Sequence, residues 1–159
     1  MKLNSLIPLA RPLLVTSSLA LFVVLFFDWR EVSIRAAALD VDAGSSAWSS
    51  GWGIAAGIVL LALLALELPM LAAGRTTAGP SRTALVAGLA TGVLGLTIAA
   101  FSTASVDVTA AVAAVHIGER LWPAYAGLVL STVIALAGLV QLLGAIAVTK
   151  AQTPHHGVA

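Results

Sequence analysis

The sequence predicts an all-α membrane protein, a bundle of four transmembrane helices with a short β-hairpin in its first outer loop. Of its 159 residues, 60% are hydrophobic and 9% are charged, and the mean hydropathy is +1.04. Soluble chains carry about 25% charged residues, so this chain lacks the polar groups that a water-exposed surface requires. Four separate apolar runs supply the spans.

The composition also excludes several classes of partner and cofactor. The formal net charge is +1 and the chain contains no cysteine. A charge this small gives no reason to expect nucleic acid, and the lack of cysteine excludes disulfide scaffolds and thiolate metal sites. We expect the lipid bilayer as the first partner and no cofactor.

Four runs reach the length of about 20 residues that a helix needs to cross the bilayer. They are residues 13–29, 52–73, 83–101 and 125–148. We therefore expect residues 1–150 to form a single four-span membrane domain and residues 151–159 to form a cytoplasmic tail.

The first span follows Lys2 and Arg11, and Pro12 is expected in its first turn, where a missing amide hydrogen costs nothing. A secretory signal is the alternative, because small residues occur at 36–38. That triplet lies too far beyond Phe27 for the usual cleavage geometry, which favours a retained span.

The first outer loop alternates polar and apolar residues over 31–35 and again over 39–42, which predicts a two-stranded hairpin. An isolated hairpin is marginally stable, so we expect it to lie on the bundle or on a partner. Asp40 and Asp42 resemble the beginning of a calcium loop. The third acidic position and the distal glutamate are missing, which favours a solvated turn.

The second span contains Glu67, the only ionisable residue well inside a predicted span. A charge at this depth costs about 2.5–3.5 kcal/mol on insertion scales, so Glu67 requires an explanation. Pro69 follows closely and is expected to kink the helix and to free the carbonyl of Ala65.

Polar residues of the other spans occur at similar depths. Counted at 1.5 Å per residue from the cytoplasmic ends, Glu67 and Ser17 lie about 9 Å deep, and Gln141 and Thr91 about 12–13 Å deep. We expect Gln141 and the hydroxyls of Ser17 and Ser18 to hydrogen-bond a protonated Glu67 carboxyl, because low dielectric disfavours its charged form. A proton or cation relay, a subunit contact, and snorkelling toward the interface are the alternatives.

Small residues spaced by four predict close helix packing, either inside the bundle or in a homodimer. The helix-packing candidates are Gly53 and Gly57, Gly88 and Gly92, and Gly127, which begins a stripe continued by Ser131, Ala135 and Gly138.

The second outer loop contains His116 and Glu119, a spacing that would put both on one face of a helix, with Asp107 nearby. Such groups can bind zinc or relay protons, but one histidine and one glutamate are a weak ligand set, and we expect no metal. Residues 110–115 are expected to dip into the membrane interface. Pro123 is expected in the first turn of the fourth span, and His155 and His156 belong to the polar tail.

Aromatic residues flank the outer ends of the spans, where rings prefer the headgroup level. They are Trp29, Trp48, Trp52, Trp122 and Tyr125. We expect them to anchor the protein in the interface, with docking of a partner or lipid as the alternative.

Charge asymmetry predicts the orientation, because basic residues near span ends stay in the cytoplasm. One side has Lys2, Arg11, Arg75, Arg82 and Lys150 and no acidic loop residue. The other side has three basic and six acidic residues, namely Arg30, Arg35, Arg120, Asp28, Glu31, Asp40, Asp42, Asp107 and Glu119. We expect a plasma-membrane protein with both termini in the cytoplasm.

Phe27-Asp28-Trp29 lies at the end of the first predicted span and Ser50-Gly51-Trp52 at the start of the second, and the spans are rich in Ala, Val and Gly. In these features the chain resembles small, uncharacterised four-span membrane proteins of high-GC Gram-positive bacteria. The topology is also similar to that of claudin-like tetraspans, whose first outer loop has strands and spaced tryptophans. The paired loop cysteines of that family are missing here, so the second similarity is one of topology alone.

The missing chemistry argues against an enzyme. A di-haem cytochrome needs paired intramembrane histidines, a lipid phosphotransferase needs clustered carboxylates, and no Ser/His/Asp set shares one depth. We expect no catalytic residues. The expected function is that of a non-catalytic membrane subunit or interaction protein that packs on or stabilises a larger membrane complex, or forms a homo-oligomer.

The alternative is a small dimeric transporter or a proton- or cation-coupled carrier that uses Glu67. Three observations disfavour it: no second intramembrane charge is predicted, no inverted repeat is evident, and Glu67 lies away from the midplane.

Overall fold

Four long helices make up most of the molecule. The computed structural model describes residues 7–36, 39–75, 79–102, 109–110 and 113–152. The helices are α1 (Ile7–Val24), α2 (Gly51–Ala72), α3 (Pro80–Ser102) and α4 (Trp122–Gln152). Each is long and apolar enough to cross a membrane, so the chain is a multi-pass membrane protein by length and composition. The predicted four helices are confirmed.

The first helix lies earlier in the chain than the sequence predicts. It begins at Ile7 and ends at Val24, whereas the prediction was 13–29. Pro12 is therefore inside the helix and not in its first turn, so that expectation was wrong. The chain leaves the helix through a turn, and a strand begins at Asp28. The predicted end at residue 29 was too late because the apolar residues at 25–27 do not by themselves specify helix.

Prolines mark the starts of two other helices. Pro80 is the first residue of α3, and Pro123 is the second residue of α4, which confirms the prediction for Pro123. Pro69 lies in the last turn of α2. Lys150 is in the last turn of α4, where a cation complements the negative end of the helix dipole.

The connections at one end of the bundle fold into a four-stranded antiparallel sheet of order β2-β1-β4-β3. The strands are β1 (Asp28–Ala36), β2 (Leu39–Ser46), β3 (Thr109–Ala110) and β4 (Ala113–Arg120). A short 3-10 helix (Ala47–Ser49) leads from β2 to α2. We call this the sheet end, and the opposite end, where α2 turns into α3, the turn end.

The predicted hairpin is confirmed by the pairing of Arg35 with Asp40 and of Glu31 with Gly44. The larger sheet was not predicted. His116 and Glu119 lie on strand β4, so the helix on which their pairing depended is absent, and that interpretation was wrong. Strand β4 instead pairs with β1 in the antiparallel sense, with Val115 opposite Ile34. Asp107, His155 and His156 lie outside the described residues.

The helices enclose an apolar interior. Each of them contributes side chains that are completely buried. They include Leu14 and Leu21 of α1, Leu60 and Leu63 of α2, Val86 and Val93 of α3, and Ile134 of α4. Many other large apolar side chains are exposed on the outside of the bundle, as expected where the solvent is lipid.

Two arginines attach the sheet to the end of α3. Arg30 Nη2 donates a hydrogen bond of 2.6 Å to the carbonyl of Ala100, and the Arg120 guanidinium lies 4.3 Å from the centre of the Phe101 ring. Burial, together with the positive charge of Arg120, lowers the pKa of Arg30. Cations suit this position because the C-terminus of a helix carries partial negative charge.

Candidate functional site

An ion pair between α1 and α2 is buried at the turn end. Arg11 Nε donates to Glu67 Oε2 at 2.7 Å. The exposed fractions of these residues are 4% for Arg11 and 0% for Glu67. Arg11 was expected on the cytoplasmic side, before the first span, but the early start of α1 at Ile7 carries it into the helix. Glu67 thus has a charged partner, and the expectation of no second intramembrane charge was wrong.

Arg11 also binds the segment that follows α2. Its Nη1 donates to the backbone carbonyl of Arg75. That carbonyl is positioned by a helix stop in which Gly74 has a φ of +64° and the amide of Arg75 donates to the carbonyl of Met70 at 3.0 Å. This is the Schellman pattern, in which a left-handed residue, usually glycine, ends the helix. One guanidinium therefore holds both α2 and the turn after it.

Arg82 connects α3 to the same part of α2. Its Nη2 donates to the carbonyl of Leu66, the residue before Glu67. Pro69 was expected to free the carbonyl of Ala65, and the arginine binds the neighbouring carbonyl in the same turn. Arg11, Glu67 and Arg82, which we call the arginine–glutamate cluster, therefore tie three helices together.

Several buried polar atoms near this cluster lack hydrogen-bond partners among the described residues. They include Glu67 Oε1, Arg82 Nε and Gln141 Nε2, and also Ser18 Oγ farther along α1. The hydrogen bonds predicted from the Gln141 amide and the Ser18 hydroxyl to Glu67 are therefore not formed. The free Oε1 leaves one acceptor of the carboxylate unused.

The helix register explains which predicted residues share a level. A Cβ at Gly144 would lie 3.1 Å from the Ile7 side chain, and one at Gly127 would lie 3.7 Å from the Leu21 side chain. The start of α1 thus meets the end of α4 and the later part of α1 meets its beginning, so the two helices are antiparallel. One turn inward from the contact between Ile7 and Gly144, Arg11 and Gln141 lie at similar depth. Ser17 is buried, but it lies six residues beyond Arg11, or about 9 Å farther along α1. Thr91 is exposed, and its hydroxyl donates to the carbonyl of Ala87 at 2.9 Å.

The predicted packing glycines divide into two groups. Gly53 lies against the carbonyl of Ala47, Gly57 against the ring of Trp48, and Gly127 against the ring of Trp29, each too closely for a Cβ. Gly88 and Gly92 are exposed and have open space where a Cβ would be. The first group packs against the sheet-end segments, and the second faces outward from the bundle.

The aromatic residues also divide. Trp29 is only 3% exposed, and its Nε1 donates to the carbonyl of Val24 at 2.9 Å. Trp48 packs against Phe22, with ring centres 5.9 Å apart. These two rings are structural contacts of the sheet end.

Trp52, Trp122 and Tyr125 remain exposed, with Trp122 66% exposed. This is the placement that interfacial anchoring requires.

Sequence reasoning found Glu67 but missed Arg11 and Arg82 as its neighbours. A signal was available, because extending the first span back to Ile7 puts Arg11 at the same depth as Glu67. Within the described part of the chain, no group of three or more His, Cys, Asp or Glu residues is placed to hold a metal. Arginine in this setting can fix helices to one another and can attract anions.

Comparisons with known proteins add no family assignment. No family model, curated protein or solved structure matches the chain.

Proposed function

We propose that the chain is a non-catalytic subunit of a larger membrane complex, in the plasma membrane, with both termini and the turn end in the cytoplasm. The sheet end then faces outward and docks the extracytoplasmic part of a partner. The single observation that carries this proposal is the sheet itself, built from both connections of that end.

The sheet has a long edge strand that a strand of another protein could join. Strand β2 has eight residues and lies at the edge of the sheet. The outer backbone groups of an edge strand are a template for pairing with a strand of another protein. Glu31, in the central strand β1, is exposed, so this carboxylate is accessible to a partner.

The arginine–glutamate cluster supports a structural use of Glu67. A carboxylate that moves ions must exchange its partners, whereas Glu67 is bound at 2.7 Å by a guanidinium that also binds the carbonyl of Arg75. Such an arrangement fixes the register of α1 against α2, which is the best-attested use of buried charge pairs.

Photo-crosslinking tests the docking proposal. A photo-reactive residue at the exposed position Glu31 should crosslink the chain to a larger membrane protein in its native membrane. The same residue at Ala73, exposed at the turn end, is the matched control and should give no such product. Gentle detergent extraction should recover the same partner in stoichiometric amount. A purified dimer that transports a solute in liposomes without any partner would contradict the proposal.

A proton- or cation-coupled carrier is the second candidate, and the free Oε1 of the completely buried Glu67 favours it. Replacing Glu67 alone would leave the buried Arg11 charge without a counter-charge. The informative variant is therefore R11Q/E67Q, which removes both charges and keeps polar groups. A carrier would lose proton-driven uptake in liposomes with this variant. A subunit would keep its partner.

A further inference from the structure

An open groove lies between the start of α3 and the end of α4. It has a volume of about 320 Å³ and is lined by Pro80, Ile146, Thr149 and Lys150. Small-molecule sites begin at about this size, roughly 300 Å³. The groove is separate from the arginine–glutamate cluster and plays no part in the proposed docking at the sheet end.

The groove changes character along its length. Ile146 and Lys150 are one helical turn apart on α4, or about 6 Å along the axis, with Ile146 on the side of the membrane interior. Pro80 adds a second apolar wall. The hydroxyl of Thr149 donates to the carbonyl of Ala145 at 2.9 Å. The groove therefore has apolar walls on its inner side and an ammonium at its mouth.

The groove lies at the positively charged end of the bundle. The described basic residues of the turn end are Arg11, Arg75, Arg82 and Lys150, and the one described acidic residue there, Glu67, is paired with Arg11. Lys150 is the basic residue that lines the groove itself. Lys150 is exposed and lies nine residues beyond Gln141, or about 13 Å farther out. That distance carries the ammonium from the level of the buried cluster toward the lipid headgroups.

We infer that this groove binds an anionic phospholipid. The headgroup phosphate would lie at Lys150, and the first methylenes of an acyl chain would lie on Pro80 and Ile146. Charge complementarity selects an anionic headgroup, since basic pockets between transmembrane helices recognise such lipids. The apolar wall selects a lipid over a free anion, because a free phosphate gains nothing from it.

Native mass spectrometry of the full-length protein in detergent tests the inference. Phosphatidylglycerol and phosphatidylcholine are added separately. We expect phosphatidylglycerol to be retained preferentially and K150Q to weaken its binding about fivefold. R75Q is the matched control, because it removes one exposed charge from the same end without touching the groove, and it should change binding far less.

A third variant tests the apolar wall. Ile146 is half exposed, so I146W can fold and will fill the groove. It should also weaken phosphatidylglycerol binding, with unchanged net charge. Thermal unfolding in lipid-free detergent should be the same for all three variants as for the parent chain.

Three results would overturn the inference. One is equal retention of the two lipids. Another is an equal loss with K150Q and R75Q, which would mean general attraction of anions to the turn end. The third is displacement of the lipid by millimolar inorganic phosphate, because the acyl chain would then contribute nothing.

Discussion

The guanidinium of Arg11 and the carboxylate of Glu67 stabilise each other in a place where neither charge is tolerated alone. Removing two charges from water costs several kcal/mol per ion, and their attraction offsets this only when the geometry is good. Here the Nε to Oε2 distance is 2.7 Å, and a second nitrogen of the arginine binds the carbonyl of Arg75. The pair therefore constrains the helices more than it adds net stability.

Removing one partner should therefore be costly. We expect R11M and E67Q each to lower the free energy of unfolding by about 3–5 kcal/mol, because each leaves the other buried group unpaired. The double variant R11M/E67L should recover most of that loss, since both charges are gone. Thermal or denaturant unfolding in detergent micelles measures the free energy of unfolding of the parent chain and the three variants, which together form a double-mutant cycle.

R75M is the control for this cycle. The backbone carbonyl of Arg75 binds Arg11, but its side chain is exposed, so its replacement should change stability by less than about 0.5 kcal/mol. Losses below about 1 kcal/mol for both single variants would mean that the ion pair does not form in the folded protein.

At this scale the sequence identifies Glu67 but not its partner. The cost of a charge inside an apolar run is evident from composition alone. Whether Arg11 can reach Glu67 depends on where α1 begins, and an apolar run preceded by Pro8 and Pro12 does not specify that boundary. The hydrogen bond expected from Ser18 failed for the same reason, because α1 begins six residues earlier than predicted and carries Ser18 away from the level of Glu67. Gln141 lies on α4 at a similar depth to Arg11, and Arg11, not Gln141, binds Glu67.

Among the helices, the glycine motifs serve different contacts in α2 and α3. Gly57 admits the ring of Trp48, which also packs against Phe22 and Phe26 with ring centres 5.9 Å and 5.3 Å away. Gly92 faces open space outside the bundle. The same four-residue spacing thus supports two different environments, and spacing alone does not distinguish them.

This difference gives a paired prediction. G57A should destabilise the protein by about 1–3 kcal/mol, because the new methyl group overlaps the Trp48 ring. G92A should be neutral or stabilising by up to about 1 kcal/mol, because alanine favours helix and nothing obstructs it. Unfolding in the same micelles measures both variants. Equal destabilisation by G92A would show that the α3 face is packed in the folded protein.

The four helices and the first hairpin were predictable because each has a local signal: an apolar run of bilayer length, or a period-2 alternation. The pairing of β4 with β1 has no local signal. It joins Arg30 to Arg120, which are far apart in sequence, and the short apolar run before His116 fits a strand as well as an interfacial segment.

For the whole molecule, the separation of charges along the bundle predicts its orientation. Exposed Asp28 and Glu31 lie at the sheet end, and exposed Arg75 and Lys150 lie at the turn end. Basic residues near span ends stay in the cytoplasm, so the sheet should face outward.

Single-cysteine labelling tests this orientation, and the natural chain contains no cysteine to interfere. In intact cells, a membrane-impermeant maleimide should label E31C and leave G79C unlabelled. After the membrane is permeabilised, G79C should react as well, which controls for its accessibility. Labelling of G79C in intact cells would reverse the proposed topology and, with it, the outward docking of the sheet.

The union of β1 with β4 also orders events during synthesis. Strand β1 follows the first helix, and its partner β4 directly precedes the last one, so the central seam of the sheet closes only after the chain has been made as far as Arg120. Until then, the edge of β1 that pairs with β4 and the face of α1 that packs against α4 have no partner from those later segments. A nascent chain stalled before β4 would display both surfaces at once, and a quality-control protease could recognise it by the unpaired edge of β1.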